Sequence, residues 1–148
     1  MNLASERVEI ELDVPFHDVD GLQVVWHGHY YKYFELARTA LFRACKLDVP
    51  DMIELGYQMV VIESKCKHVY PLRYGDKFRV SACFKEIEYR LHVAFEVWNL
   101  TAERRSAKGH TLLATLDPAG TLLLATPTAM LTRLNRLTAV AGLTRVTP

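Results

Sequence analysis

The chain has 148 residues, of which 50% are hydrophobic and 24% charged, with a formal net charge of +1. This length and composition fit one globular domain with a full core, and the near-neutral charge argues against a nucleic-acid-binding surface. No apolar run reaches the roughly 20 residues that a membrane helix needs. The start "MNLASERVEIELD" lacks the basic and apolar segments of a secretory signal, and three separated cysteines without a CxxC pattern fit a reducing compartment. We therefore predict a cytoplasmic protein with a single domain over residues 1–148.

The predicted elements begin with a strand and a long helix. Residues 6–14 alternate polar and apolar side chains, as a half-buried strand does, and Pro15 ends the run. Over residues 28–46 the period changes, and apolar side chains recur three and four positions apart, which predicts one buried helical face. That face consists of Tyr30, Phe34, Ala37, Leu41 and Ala44.

A short helix and a series of strands follow. Pro50 and Gly56 bracket the short helix, and turn residues such as "PLRYGD" and "DPAG" separate most of the strands. The strands are predicted at 58–70, 76–88, 91–100, 107–116 and 121–125. The segment "TPTAMLTRLNRL" is predicted to close with a short helix, and residues 137–148 to form a loose tail. This order predicts an α+β fold in which a curved antiparallel sheet of five to six strands wraps around one long helix.

The stretch "FHDVDGLQVVWHGHYYKYFELAR", residues 16–38, carries the most polar chemistry. Local chemistry alone favours a plain turn, since Asp20-Gly21 is a common turn dipeptide and Asp18 can accept hydrogen bonds from nearby amides. His27 and His29 are also compatible with an ordinary helix start. The aromatic side chains that follow them are more often part of a core than of a binding site.

Two other kinds of site are disfavoured. A metal site would draw on the histidines and aspartates of this stretch, but two histidines two positions apart share a face only on a strand, and these lie at a predicted helix start. A cysteine nucleophile has no supporting motif, and the three cysteines lie in apolar segments that indicate structural roles. They are Cys45, Cys66 and Cys83. We predict no metal and no cofactor.

The whole pattern resembles the hotdog-fold thioesterases, specifically the 4-hydroxybenzoyl-CoA thioesterase family and its acyl-CoA thioesterase branch. The pattern is D-x-D, three residues, V-V-W-H, two residues, and then Tyr30 with Glu35 and Ala37-Arg38 on the helix. The resemblance runs from about Val8 to Leu131 and includes "VYPLRYGD" at 69–76. It implies a hotdog fold and hydrolysis of an acyl thioester.

The resemblance also implies site residues. The catalytic carboxylate falls on Asp20, and His27 lies where the long helix begins, so that its backbone amide serves as the oxyanion donor and its side chain also takes part. Asp18 is implied to shape the loop. The chain departs from the family at Gln23, where glycine is usual, and carries Gly21 two positions earlier, so the loop is expected to take a different path. The residues predicted to bind substrate are Asp18, Val25, Trp26, Tyr30, Ser64 and Arg73.

These residue types suit thioester hydrolysis. The free N–H groups and positive dipole end of a helix N-terminus polarise a carbonyl, and a carboxylate such as Asp20 either activates a water or attacks directly to give a mixed anhydride. The thioester is one of coenzyme A or of an acyl carrier protein. The sequence leaves the route, the carrier and the acyl group open.

The implied partner is a second copy of the chain. Hotdog domains pair edge to edge, and dimers pair further in some members, so the predicted assembly is a homodimer or homotetramer. In such a dimer the acyl-thioester tunnel runs between the subunits and is lined by the helix of one chain and strands of the other. Alternate side chains of the strand after Gly56 would line this tunnel, and basic residues near them would meet the phosphates of coenzyme A. The first set is Ser64, Cys66, His68 and Tyr70; the second is Lys65, Lys67 and Arg73.

Two alternatives stay open. A hydratase or dehydratase on the same fold would pair His17 or His27 with Glu35, although Glu35 is equally explained as an i,i+3 partner of Arg38 on the helix surface. The other alternative is a non-catalytic domain that binds acyl thioesters, because one fold hosts many functions.

Overall fold

A computed structural model describes residues 7–139 of the chain. The strands are β1 (Arg7–Asp13), β2 (Gln58–His68), β3 (Lys77–Glu86), β4 (Leu91–Asn99) and β5 (Arg104–Leu116). The helices are α1 (His29–Ala44), α2 (Val49–Leu55) and α3 (Thr128–Ala139), and a short 3-10 turn covers Phe16–Asp18. The strands form one antiparallel sheet in the order β1-β3-β4-β5-β2, so β1 and β2 lie at its edges.

Helix α1 packs its apolar face against the sheet. The ring of Phe34 stacks on that of Phe95 of β4 with centroids 4.5 Å apart, and Ala37 and Leu41 are fully buried. Gly109 of β5 lets the helix approach, because a Cβ at that position would lie 2.7 Å from the Phe34 ring. An antiparallel sheet that covers one long helix is the hotdog arrangement, and the predicted α+β fold class is confirmed.

The predicted strand at 121–125 is wrong. The turn after β5 does reverse the chain, since Asp117 N–H donates to the carbonyl of Thr121 at 2.9 Å and Gly120 has a φ of 86°. However, β5 is paired with β2 on one side and with β4 on the other as far as Leu113. The short free edge beyond that point accommodates a single bridge, between Leu116 and Leu122.

The other boundaries differ from the prediction by a few residues. β5 begins at Arg104 rather than at 107, while the two smaller helices form where they were predicted. Residues 140–148, which hold most of the predicted loose tail, lie outside the described residues. Within the described part, no helix has the length and apolar character needed to cross a membrane.

The two faces of β2 carry different chemistry. Cys66 lies opposite Gly109, whose Cα faces α1, so Cys66 and the residues two positions away from it point toward the helix. These are Ser64 and His68. Lys65 and Lys67 point to the outer face of the sheet instead, which separates them from the helix side.

Candidate active site

The segment between β1 and α1 is a closed hairpin held against the chain that precedes β3. Val19 bridges Val25, and the N–H of Trp26 donates to the carbonyl of Asp18 at 3.0 Å. The N–H of Val25 donates to the carbonyl of Leu72 at 2.8 Å. These bonds fix the path of the chain into α1.

Asp18 anchors this hairpin to the helix. Its side chain is 1% exposed and accepts hydrogen bonds from Lys32 Nζ at 2.5 Å and from the hydroxyl of Tyr33 at 2.6 Å. Burial alone would raise the pKa of the Asp18 carboxyl, but the bonds from Lys32 and Tyr33 outweigh it and lower that pKa. Burial and the Asp18 carboxylate raise the pKa of Tyr33. Asp18 is therefore ionised at neutral pH and placed to shape the loop.

Asp20 lies at the turn of the hairpin and is less enclosed. Its Oδ1 accepts from the N–H of Leu22 at 2.9 Å, while its Oδ2 has no hydrogen-bond donor among residues 7–139. The turn closes through Gln23, whose N–H donates to the carbonyl of Asp20 at 2.9 Å and whose φ is 65°. Gln23 thus adopts the left-handed conformation that favours glycine, at the position where the resembled family has one. The expectation of a different loop path stays a prediction.

The N-terminus of α1 is uncapped. The cap position is Gly28, no side chain caps it, and the first turn holds no acidic residue. In the described chain the N–H groups of His27 and Gly28 have no acceptor. Such groups, at the positive end of a helix dipole, are suited to bind a carbonyl oxygen or an oxyanion.

A wall of rings borders this helix end. The indole of Trp26 lies over Gly28, where a Cβ would meet it at 2.3 Å, and its ring centroid is 5.2 Å from that of His27. His68 of β2 approaches from the sheet, with its ring 6.2 Å from His27 and 4.7 Å from Tyr30. Burial, followed by the charge of His27, lowers the pKa of His68, which keeps its imidazole neutral at pH 7.

Comparison with known proteins gives the family of this chain. Residues 22–103, more than half of the chain, match the family model described as "Thioesterase superfamily". The chain belongs to the thioesterase superfamily. Asp20 lies just before the matched range and His27 within it. In this superfamily member the loop that carries Asp20 leads directly into the uncapped start of α1, and the roles of Asp20 and His27 stay predictions.

The chain has low sequence identity to the known proteins that it resembles. A protein from Aquifex aeolicus named "Putative esterase" is 31% identical over 74 residues, which cover 50% of this chain and 58% of that one. The structure of a 1,4-dihydroxy-2-naphthoyl-CoA thioesterase from Synechocystis has a TM-score of 0.75 at 17% identity, covering 89% of this chain and 98% of that one. A hypothetical protein from Staphylococcus aureus, solved with CoA, has a TM-score of 0.80 at 15% identity, covering 90% and 84%. At these identities the structural likeness shows the fold.

The remaining predicted residues of this superfamily member divide into two groups. Arg73 bridges Val24 and so lies beside the loop, and Tyr30 is buried beneath it, where its hydroxyl accepts from the N–H of Leu72 at 3.2 Å. Ser64 is four residues from His68 on the same strand face, about 13 Å further along, and is not part of this cluster within one chain. The partners of Asp18, Lys32 and Tyr33, were not predicted from the sequence, because they lie on the helix, beyond the loop.

The thiols are not nucleophiles at neutral pH. Burial raises the pKa of Cys45 to about 12 and that of Cys66 to about 11, and it also raises the pKa of Cys83. All three are free thiols. A protonated thiol is a poor nucleophile, so the carboxylate of Asp20 is the stronger candidate.

Proposed function

We propose that this protein is an acyl thioesterase that hydrolyses a thioester of coenzyme A or of an acyl carrier protein. One observation carries the proposal: the uncapped start of α1 offers the N–H groups of His27 and Gly28, and the loop that leads into it holds Asp20 with one free carboxylate oxygen. Membership of the thioesterase superfamily supports the same reaction. Because a protein of similar fold is a 1,4-dihydroxy-2-naphthoyl-CoA thioesterase, coenzyme A is the first carrier to test.

In the proposed reaction the thioester carbonyl oxygen accepts hydrogen bonds from His27 and Gly28. The helix dipole stabilises the negative charge that develops on that oxygen. Asp20 either takes a proton from a water whose oxygen bonds to the carbonyl carbon, or bonds to that carbon itself and is released by water afterwards. The carbon–sulfur bond breaks, and the thiolate leaves and is protonated.

The imidazole of His27 is proposed to orient the water or to protonate the leaving sulfur. A thiolate leaves readily, so this proton contributes less than the carboxylate does. Trp26, Val25 and Tyr30 are proposed to form the acyl side of the site. Arg73, whose backbone N–H donates to Asp76 and whose guanidinium has no ion pair among residues 7–139, is proposed to meet the phosphates of the carrier.

A second copy is proposed to complete the site. β2 is an edge strand, and three consecutive apolar residues on it, Val60, Val61 and Ile62, are 37–53% exposed. An exposed apolar edge strand invites pairing with another strand. Pairing along β2 would bring Ser64 of one chain toward the other. Light scattering of the wild type against Val61→Lys tests this, with a dimer expected for the first and a monomer for the second.

The hydratase alternative has no structural support. Glu35 is 67% exposed and pairs with Arg38 at 3.7 Å on the helix surface, as the sequence spacing indicated. Its contact with Arg38 accounts for Glu35 without a catalytic role. The non-catalytic alternative is decided by experiment.

The experiment is thiol release from a panel of aliphatic and aromatic acyl-CoAs, followed with a thiol reagent, alongside acyl-CoA binding by calorimetry. Hydrolysis of at least one acyl-CoA is the expected result, and the preferred acyl chain names the substrate class. Turnover of acyl carrier protein alone would assign the other carrier. Binding without turnover of either would contradict the proposed activity and establish a binding domain.

A further inference from the structure

A groove of about 720 Å³ crosses the outer face of the sheet, on the side away from α1. Its floor is made of the small side chains Ser81, Cys83 and Ala94, which lie on neighbouring strands β3 and β4. These residues alternate with Val80, Ala82 and Val93, which are buried against the helix. The groove is therefore separate from the helix end and the Asp20 loop.

Positive charge surrounds this groove. The cationic or basic residues that line it come from β1, β2, β3 and β5, and the only carboxylate lining it in the described chain is Glu96. They are Arg7, Lys65, Lys67, Lys85, Lys108 and His110. The whole chain has a net charge of only +1, so the positive charge on this face is offset by negative charge elsewhere in the molecule.

The nearby carboxylates are already engaged. Glu96 accepts from Arg105 at 2.7 Å. Arg7 has Glu9 at 3.4 Å, and His110 has Glu63 at 2.6 Å. The four lysines of the groove have no carboxylate within 4 Å anywhere in residues 7–139.

The strand register places two lysines directly opposite each other. Lys67 pairs with Lys108 across β2 and β5, and the neighbouring Lys65 pairs with His110. Like charges directly opposite on two strands destabilise a sheet. An anion bound between these amino groups would reduce that repulsion. Anion binding therefore accounts for a pair of lysines that lowers the stability of the fold.

We propose that this groove binds a ligand that carries adjacent phosphate groups, such as the pyrophosphate of a nucleotide. Lysine amino groups act as point charges that suit phosphate, and four of them around a small-residue floor leave room for a compact ligand. The carboxylates of Glu63 and Glu96 interrupt the basic surface, which disfavours a nucleic-acid polymer. The site does not depend on thioester hydrolysis.

The test is titration calorimetry with inorganic pyrophosphate, ADP and coenzyme A at constant ionic strength. The double variant Lys67→Gln, Lys108→Gln is compared with Lys77→Gln, which removes an exposed lysine paired with Asp13 at 3.1 Å outside the groove. Pyrophosphate is expected to bind the wild type and the Lys77 variant alike and to bind the double variant about tenfold or more weakly. Pyrophosphate is also expected to raise the melting temperature of the wild type but not that of the double variant.

The arms distinguish two sources of the phosphate. Loss of both ADP and coenzyme A binding in the double variant would assign the groove to the nucleotide end of a coenzyme A ligand. Loss of ADP binding with coenzyme A binding retained would assign it to a separate nucleotide. Absence of pyrophosphate binding to the wild type, or equal binding to all three proteins, would overturn the proposal, as would binding of an oligonucleotide alone. None of these results depends on whether the protein hydrolyses thioesters.

Discussion

Replacing Gln23 with glycine is expected to stabilise the protein. Gln23 has a φ of 65°, in the left-handed region, where a residue with a Cβ costs roughly 1–2 kcal/mol. Glycine removes that cost but adds roughly 0.5–1 kcal/mol through the greater freedom of the unfolded chain. The net gain is about 0.5–1 kcal/mol, which corresponds to a melting temperature about 1–4 °C higher at this chain length.

Thermal melts at one fixed protein concentration measure this effect, since oligomerisation makes the midpoint depend on concentration. Gln23→Ala is the matched control, because alanine keeps the Cβ and should give no gain. Gly21→Ala tests the loop path itself: Gly21 has open space around its Cβ position and no positive φ, so alanine there should not destabilise. A lower midpoint for Gly21→Ala, together with none of the expected rise for Gln23→Gly, would refute the left-handed turn at Gln23.

Three further variants test the packing around the loop and helix. Asp18→Asn should lower the free energy of unfolding by about 1–3 kcal/mol in urea melts, since it weakens the bonds from Lys32 and Tyr33. The pKa of Asp18 in the folded protein lies below 3.8, so the difference in stability from the wild type should shrink as the pH falls below that value. A difference that stays constant with pH would contradict this prediction. Gly28→Ala should lower the thiol release rate more than the melting temperature, since its Cβ displaces the half-exposed indole beside the helix end, and unchanged turnover would argue against this end as the oxyanion site. Gly109→Ala should lower the melting temperature clearly, because its Cβ would lie 2.2 Å from a backbone oxygen of β2, and an unchanged melt would contradict the close approach of helix and sheet.

Local pattern was sufficient for the helix and most strands. The apolar recurrence from Tyr30 to Leu41 predicted α1, because a helix buries one face and spaces its contacts accordingly. Alternation on β2 correctly separated Lys65 and Lys67 from the residues that face the helix. The strand at 121–125 failed because β2 and β4 occupy most of β5, and the short edge that stays free accommodates one bridge, which the local sequence does not indicate.

The site was predictable in outline only. The motif of residues 16–38 located the loop and the helix start, but the bonds of Asp18 join residues 14 and 15 positions apart and depend on how the helix docks. The backbone angle of Gln23 is likewise not evident from the sequence, because residues with a Cβ rarely adopt a positive φ. His68 lies beside Tyr30 near the helix end of its own chain, a contact between residues 38 positions apart that sequence spacing does not indicate.

The most direct measurement is the rate of thiol release by Asp20→Asn on the best acyl-CoA substrate of the wild type. Asparagine keeps the size and removes the charge, so loss of roughly 10²-fold or more in kcat with an unchanged melt is the result predicted for a base or nucleophile. Asp13→Asn, an exposed aspartate paired with Lys77 outside the site, is the matched control and should retain wild-type turnover. Full activity in Asp20→Asn would contradict the proposed mechanism and return Asp20 to the role of a turn residue.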